Sequence, residues 1–121
     1  MPSTRERGSQ WERVAEALLC RHGLRPLARN FSSRFGELDL VMLDGPVLVF
    51  VEVRYRRADR WGSGADTVTR AKQKKLATTA RGFLGLHAEH RCRPCRFDVV
   101  SIGDGADGAE LNWIKRAFDA E

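Results

Sequence analysis

The sequence predicts an α/β domain: a β-sheet with helices packed on it. A stripe of apolar residues at helical spacing opens the chain. Three strand-like segments follow, two of them joined by an Asp-Gly turn. A second helical stripe then separates these strands from one or two more. The 121 residues suit one compact domain, 1–121, large enough for a core without disulfide staples.

In "GSQWERVAEALLCRHG", Trp11, Val14, Ala15, Leu18 and Leu19 recur at i, i+3, i+4, i+7 and i+8. Ser9 is the expected N-cap, with Glu12 completing a capping box, and Gly23 the expected stop. "LRPLARNFSS" reads as an edge strand, because Pro26 cannot donate to a ladder. "GELDLVML" and "VLVFVEVRYRR" read as a hairpin turning at Asp44 and Gly45. After the loop "ADRWGSGAD", a helix is expected from Thr67 to Leu86, N-capped by Asp66, with Val68, Leu76, Ala80 and Phe83 inward. "HAEHRCRPC" is a polar connector, "RFDVVSI" a strand and "GDGADGAE" a turn-rich loop. "LNWIKRAF" fits either a final strand or a short helix. Asp98, within "RFDVVSI", reads as polar decoration or as support for a site.

Composition narrows the function classes. With 42% hydrophobic and 31% charged residues, the chain reads as globular, not disordered. The longest apolar run, Val47 to Val51, is far too short to span a membrane. "MPSTRERGSQ" has no apolar signal region, so the expected location is the cytoplasm. The net charge is +5, and it is concentrated. Arg54, Arg56, Arg57, Arg60, Arg70, Lys72, Lys74 and Lys75 are opposed between positions 54 and 75 only by Asp59 and Asp66. Such a patch suits a polyanion such as nucleic acid.

The hairpin places acids beside this patch. With Asp44 and Gly45 as central turn residues, Asp39 faces Phe50 and Glu37 faces Glu52. One face then carries Glu37, Asp39, Val41 and Leu43 beside Leu48, Phe50, Glu52 and Arg54. Asp39 and Glu52 become diagonal neighbours, their Cα atoms roughly 7 Å apart. Three carboxylates so close need a counter-charge. Arg54 can neutralise one, and a hard cation such as Mg²⁺ would neutralise more while leaving positions for a phosphate oxygen and water. A salt bridge between Glu52 and Arg54 at the mouth of the sheet fits the same residues.

These residues resemble a known family. "GELDLVMLDGPVLVFVEVRYRR" is similar to the G-E-[IL]-D-L…FVEVK-x-R stretch of the YraN-like bacterial proteins. The resemblance extends over most of the chain, through Glu12, Ala15, Leu19 and Gly23, "LARN", "WGSGADTVTRAKQKKL" and "CRFDVVSI". That family is regarded as a group of predicted endonucleases distantly related to archaeal Holliday-junction resolvases, in the PD-(D/E)xK superfamily. The resemblance implies a restriction-endonuclease-like core, a mixed central sheet flanked by helices in the order α-β-β-β-α-β-β. It implies that Asp39 and Glu52, with the Val53 backbone carbonyl, bind Mg²⁺ or Mn²⁺, and that Glu12 lies near, with Glu37 as a further acid. Arg54 stands where the family has lysine and would contact the phosphate, while Arg56, Arg57, Arg60, Lys72, Lys74 and Lys75 track the backbone. Nucleic acid, DNA before RNA and branched DNA among its forms, is the implied partner, and a homodimer is one implied assembly.

Arginine keeps its proton, so Arg54 supplies charge and not a base. Lys72, four residues from both Val68 and Leu76, is an alternative donor, or its stem packs while its ammonium reaches water. The expectation splits between an enzyme, a nucleic-acid-binding protein with attenuated catalysis, and an adaptor whose acids are structural ion pairs. His87, His90, Cys92 and Cys95 could form one zinc half-site, but no second half-site accompanies them and zinc is not expected. Cys95 reads instead as a small buried hydrophobe.

Overall fold

Val47–Val51 is an unbroken apolar run, and Phe97–Ile102 is apolar apart from Asp98 and Ser101, patterns that suit strands buried on both faces. They lie side by side as a parallel pair, covered on both faces. This computed structural model describes residues 4–56, 68–105 and 108–119. The elements are α1 (Thr4–Arg21), β1 (Arg25–Ser33), β2 (Gly36–Asp44), β3 (Val47–Arg56), α2 (Arg70–Leu86), β4 (Cys95–Gly105) and β5 (Gly108–Phe118). A short 3₁₀ turn, Ala88–His90, precedes β4. The sheet runs β1-β2-β3-β4-β5, antiparallel except between β3 and β4, which α2 connects. This is the expected mixed sheet flanked by helices, in the expected order, with β1 at one edge. "LNWIKRAF" is strand, and β4 and β5 extend into the segment expected to be a loop. Among the described residues, no helix is long and apolar enough to cross a membrane.

Alternate residues of the strands feed two cores. Val41, Leu43, Leu48 and Phe50 pack with Leu76, Ala80 and Phe83 of α2. Leu40, Met42, Val49 and Val51 pack with Ala15 and Leu19 of α1. Each fully buried side chain of this kind contributes roughly 1.5–3 kcal/mol. α1 starts at Thr4, so Ser9 is helical and caps nothing, contrary to expectation. Charged residues continue a helix readily, and Gly8 costs only about 1 kcal/mol. Gly23 does end it: Gly23 N–H bonds to Cys20 O at 3.0 Å and Leu24 N–H to Leu19 O at 3.1 Å. α2 begins at Arg70 and not Thr67, because Thr69 is its N-cap and accepts from Lys72 N–H at 3.2 Å. The expected cap, Asp66, lies outside the described residues, as do Arg57, Arg60 and Trp61. Cys95 is exposed, not buried, because it stands at the first residue of β4 beyond the helical cover.

The hairpin register differs from the expected one by two residues. Asp44 pairs with Val47 and Leu43 with Leu48, so the turn residues are Gly45 and Pro46. Pro46 has no N–H for a closing pair, and Gly45 adopts φ 58, which glycine tolerates. The slide keeps parity but moves Asp39 from the level of Phe50 to that of Glu52.

Asp98 is fully buried and ties β4 to three neighbours. It accepts from Arg96 Nε at 3.0 Å, Trp113 Nε1 at 2.9 Å and the Arg116 N–H at 3.1 Å. Arg96 in turn donates to Asp44 at 2.8 Å. The register slips between Phe97 and Val99, and Arg116 has φ 51. A carboxylate there satisfies an amide that the ladder cannot reach. Asp98→Ala leaves that amide, the indole N–H and much of the guanidinium unpaired. Urea unfolding should show a loss of about 3–5 kcal/mol, with a smaller loss for Asp98→Asn. An unchanged midpoint for both would remove Asp98 from this role.

Candidate metal centre at the sheet break

In an unbroken strand, residues two apart share a face. Apart from a register shift in β1 between Pro26 and Ala28, β1 and β2 depart from this together, at one level. On β2, Leu38 packs on the α2 side and Leu40 on the α1 side. On β1, Ala28 and Phe31, three apart, both pack on the α2 side. Arg29 between them reaches Glu16 of α1, with Nη2 at 2.6 Å from its carboxylate. The two strands stay in step, with Arg29 opposite Leu40 and Phe31 opposite Leu38, while Asn30 and Asp39 form no ladder pair. Asn30 has φ 52, a left-handed conformation that asparagine adopts more readily than most residues. β3 keeps its alternation, so pairing of β2 with β3 stops at Leu40 and Val51.

Asp39 sits in this gap. Its Oδ2 accepts the Val53 N–H at 2.9 Å, a donor from the strand it no longer pairs with. Trp11 of α1 stacks on Tyr55 of β3 with centroids 4.5 Å apart, which docks the helix and delivers the next residue, Glu12. Glu12 lies beside Asn30 and Asp39, which favour its charged form against the burial that opposes it. Glu37, two residues before Asp39, completes the group, and one oxygen from each of Glu12, Glu37 and Asp39 lies within 4.8 Å of the others. Glu37 Oε2 also accepts from Ser32 Oγ at 3.3 Å.

The electrostatics report buried, crowded acids. Burial and then the Glu52 carboxylate raise the Asp39 pKa from its ordinary value of 3.8 to about 7, with Glu12 and Glu37 adding to the rise. The Val53 N–H opposes them by favouring the anion. Burial likewise pushes the Glu12 carboxyl up, against the hydrogen bonds from Asn30 and Asp39.

Glu52 lies outside the group of three. Its side chain continues the α2-side face of β3, and Lys72 Nζ meets its Oε1 at 2.7 Å. The regular face expected to carry Asp39 and Glu52 together is replaced by a break, with Asp39 turned toward Glu12 and Glu52 toward α2. Arg54 is half-buried, two residues beyond Glu52 on the same strand. Lys74 and Lys75 are exposed on α2. Lys72 and Lys75 line a groove of about 350 Å³ with Glu37, Thr69 and Thr79. The Arg56 side chain, with Arg57 and Arg60, lies outside the described residues. Sequence reasoning missed Asn30; the signal available was an asparagine inside an otherwise extended segment. His87 is stacked on Phe83, centroids 4.0 Å apart, and His90 accepts from Arg93 Nε at 3.0 Å.

Comparison with known proteins finds a family model, "Uncharacterised protein family UPF0102", matching residues 11–102. A UPF0102 protein of Stutzerimonas stutzeri is 52% identical over 112 residues, covering 89% of this chain and 93% of the relative. One of Xanthomonas euvesicatoria pv. vesicatoria is 51% identical over 122 residues, covering 100% of this chain and 98% of the relative. A solved structure of SfsA from Pyrococcus furiosus in complex with Ca²⁺ aligns at 14% identity with a TM-score of 0.37, over 93% of this chain and 64% of that one. A likeness of that degree bears on nothing further.

The Asp39 shift makes stability depend on pH. Folded Asp39 holds a proton more tightly than the unfolded chain does, so its contribution is full below its ordinary pKa of 3.8 and is lost as pH rises through about 7. Melting followed from about pH 4.5 to about pH 8 without divalent ions should show stability falling, and Asp39→Asn should flatten the slope. Mg²⁺ should raise the melting temperature near pH 8 more than near pH 5, since protons and cation compete for the same oxygens. Equal slopes in wild type and Asp39→Asn would contradict this origin.

Proposed function

The chain belongs to the UPF0102 family, and on that footing we propose that it is a metal-dependent, nuclease-like protein. Its reaction would be phosphodiester hydrolysis in nucleic acid, in DNA before RNA and with branched DNA among the substrates. The observation that carries the reading is the convergence of Glu12, Glu37 and Asp39 within 4.8 Å, near the Glu52–Lys72 ion pair. The donor set fits Mg²⁺ or Mn²⁺: all oxygen, several negative charges, and an Asp39 carboxyl raised to about 7 by burial and by the neighbouring carboxylates. Asp39 and Glu52 would hold the ion, with Glu12 and Glu37 as additional ligands and the Val53 carbonyl as a backbone one. Bound Mg²⁺ would supply positive charge to a phosphoryl oxygen and lower the pKa of a water.

The chain's own residues then have distinct work. Arg54 would set its guanidinium against the scissile phosphate, a planar donor fork suited to phosphate oxygens. It holds charge where charge develops and does not take up the water's proton. Arg56, Arg57, Arg60, Lys74 and Lys75 would follow the backbone without reading bases. The second reading is a nucleic-acid-binding protein with attenuated catalysis. Arg54, in the place of the lysine of the resembling family, favours it.

The experiment is incubation of the purified protein with labelled linear, flapped and four-way-junction substrates, with Mg²⁺, Mn²⁺ or chelator. Metal-dependent cleavage is expected. Asp39→Ala should abolish it and leave nucleic-acid affinity intact. Arg54→Ala should lower it by about 10²–10³-fold, the usual effect of removing one preorganised donor at a developing charge. Arg54→Lys should retain or raise it. Affinity should fall with salt, each phosphate contact adding about 0.7–0.9 to the log–log slope. An inert wild type whose Arg54→Lys variant cleaves would establish the second reading. Cleavage at wild-type rate in Asp39→Ala would overturn the site assignment, and no affinity for any nucleic acid at low salt would overturn both readings.

A further inference from the structure

We propose that Lys72 is an exchangeable counter-ion that couples metal binding to phosphate binding. It holds Glu52 while the metal position is empty, and it passes to a substrate phosphate when a cation takes Glu52. This rests on the metal-dependent reading above and assigns Lys72 a part beyond tracking the backbone.

The ion pair is lopsided. The Glu52 side chain is 8% exposed and that of Lys72 45%. A carboxylate that buried, on a strand covered on both faces, needs a partner at all times. An ammonium that exposed can leave at little cost, because water replaces what it loses. Glu52 is therefore the fixed member and Lys72 the movable one. The pairing also accounts for the composition of the acidic group. Glu12, Glu37 and Asp39 converge, whereas Glu52, whose charge reaches Asp39, stands aside with Lys72.

The groove says where the ammonium goes. Lys72 lies in the first turn of α2, its own N–H fixed by Thr69 Oγ1. That turn carries no acid. A helix N-terminus favours an anion over a cation, so Lys72 gains nothing from the helix at rest, while a phosphate reaching it would gain from both. The groove of about 350 Å³ beside it is lined by Lys75 and the Thr69 and Thr79 hydroxyl-bearing residues as well, and it opens next to Glu37. A phosphodiester entering there meets Lys72 and Lys75 together and draws Lys72 from Glu52. Glu52 is then available to the cation. By linkage, the cation tightens phosphate binding by the same factor as phosphate tightens the cation's.

The test is calorimetric titration of Ca²⁺, a hard oxygen-seeking cation, into the full-length protein at constant pH and low salt. It is run on the protein alone and on the protein saturated with a short DNA duplex. Wild type should bind Ca²⁺ about tenfold tighter with DNA than without, within the usual range of coupling between two sites. Lys72→Gln should bind Ca²⁺ more tightly than wild type in the absence of DNA, and DNA should then change its affinity by less than about twofold. Lys72→Arg should behave as wild type, showing that charge and not folding is responsible, and melting of each variant checks the fold. Unchanged Ca²⁺ affinity in Lys72→Gln, or wild-type coupling in that variant, overturns the exchange and leaves the metal reading standing. No Ca²⁺ binding by wild type or variant overturns both.

Discussion

Everything at the candidate site follows from one lapse in alternation, shared by β1 and β2 at Asn30 and Asp39. Two strands that change parity together remain paired with each other, because each pair beyond the break still faces its partner. The cost falls on the third strand. β3 does not change parity, so its ladder with β2 ends at Leu40 and Val51 and the Val53 amide is left without a strand partner. A buried amide must be satisfied. The side chain of Asp39 does it, at 2.9 Å. The carboxylate is thus anchored by the defect that exposes it, and the left-handed Asn30 that makes the turn in β1 also contacts Glu12. Break and anchor are one piece of structure.

The acids around the break are costly to the fold. Asp39 lies among three other carboxylates, and burial adds to their repulsion. Lys72 brings a counter-charge into contact with Glu52. The contrast with Asp98 is instructive. Asp98 is more deeply buried, yet an arginine, an indole and a backbone amide meet it, and it locks the slip between β4 and β5. A carboxylate so furnished is structural. A group of buried carboxylates that raise one another's pKa, with a basic groove beside it, is the kind of arrangement found where a site has been favoured over local stability.

Much of the fold was legible in the sequence, and the failures are physical. The helical stripes, the order of elements and the edge position of β1 follow from apolar period and from Pro26. The stretch "FVEVR" raises the right question, because two charges interrupt an apolar run on a strand covered on both faces. The turn was misplaced by one position on each strand because Asp-Gly is a strong turn signal, while the decisive fact was the missing N–H of Pro46. Glu12 was identified, but with a capping role that the longer α1 removes. The parity change was invisible, since a period-two pattern has no symbol for a residue in the left-handed region. Asn30 was the only trace of it. Extrapolating alternation through Asp39 therefore drew the wrong face.

The connection between β3 and β4 explains why the hairpin alone would not make this site. Parallel strands cannot be joined by a tight turn, and here a helix makes the crossing. That helix must start near the end of β3, where Glu52 and Arg54 lie, and pack back over the sheet through Leu76, Ala80 and Phe83. Its first turn is consequently held above the broken end of the hairpin, and Lys72 is carried to Glu52 by the topology itself. Arg54 stands two residues beyond Glu52 on the strand, while Lys72 comes to Glu52 from the helix. The sheet thus carries one cation and the crossing helix the other, and neither hairpin strand could supply the second.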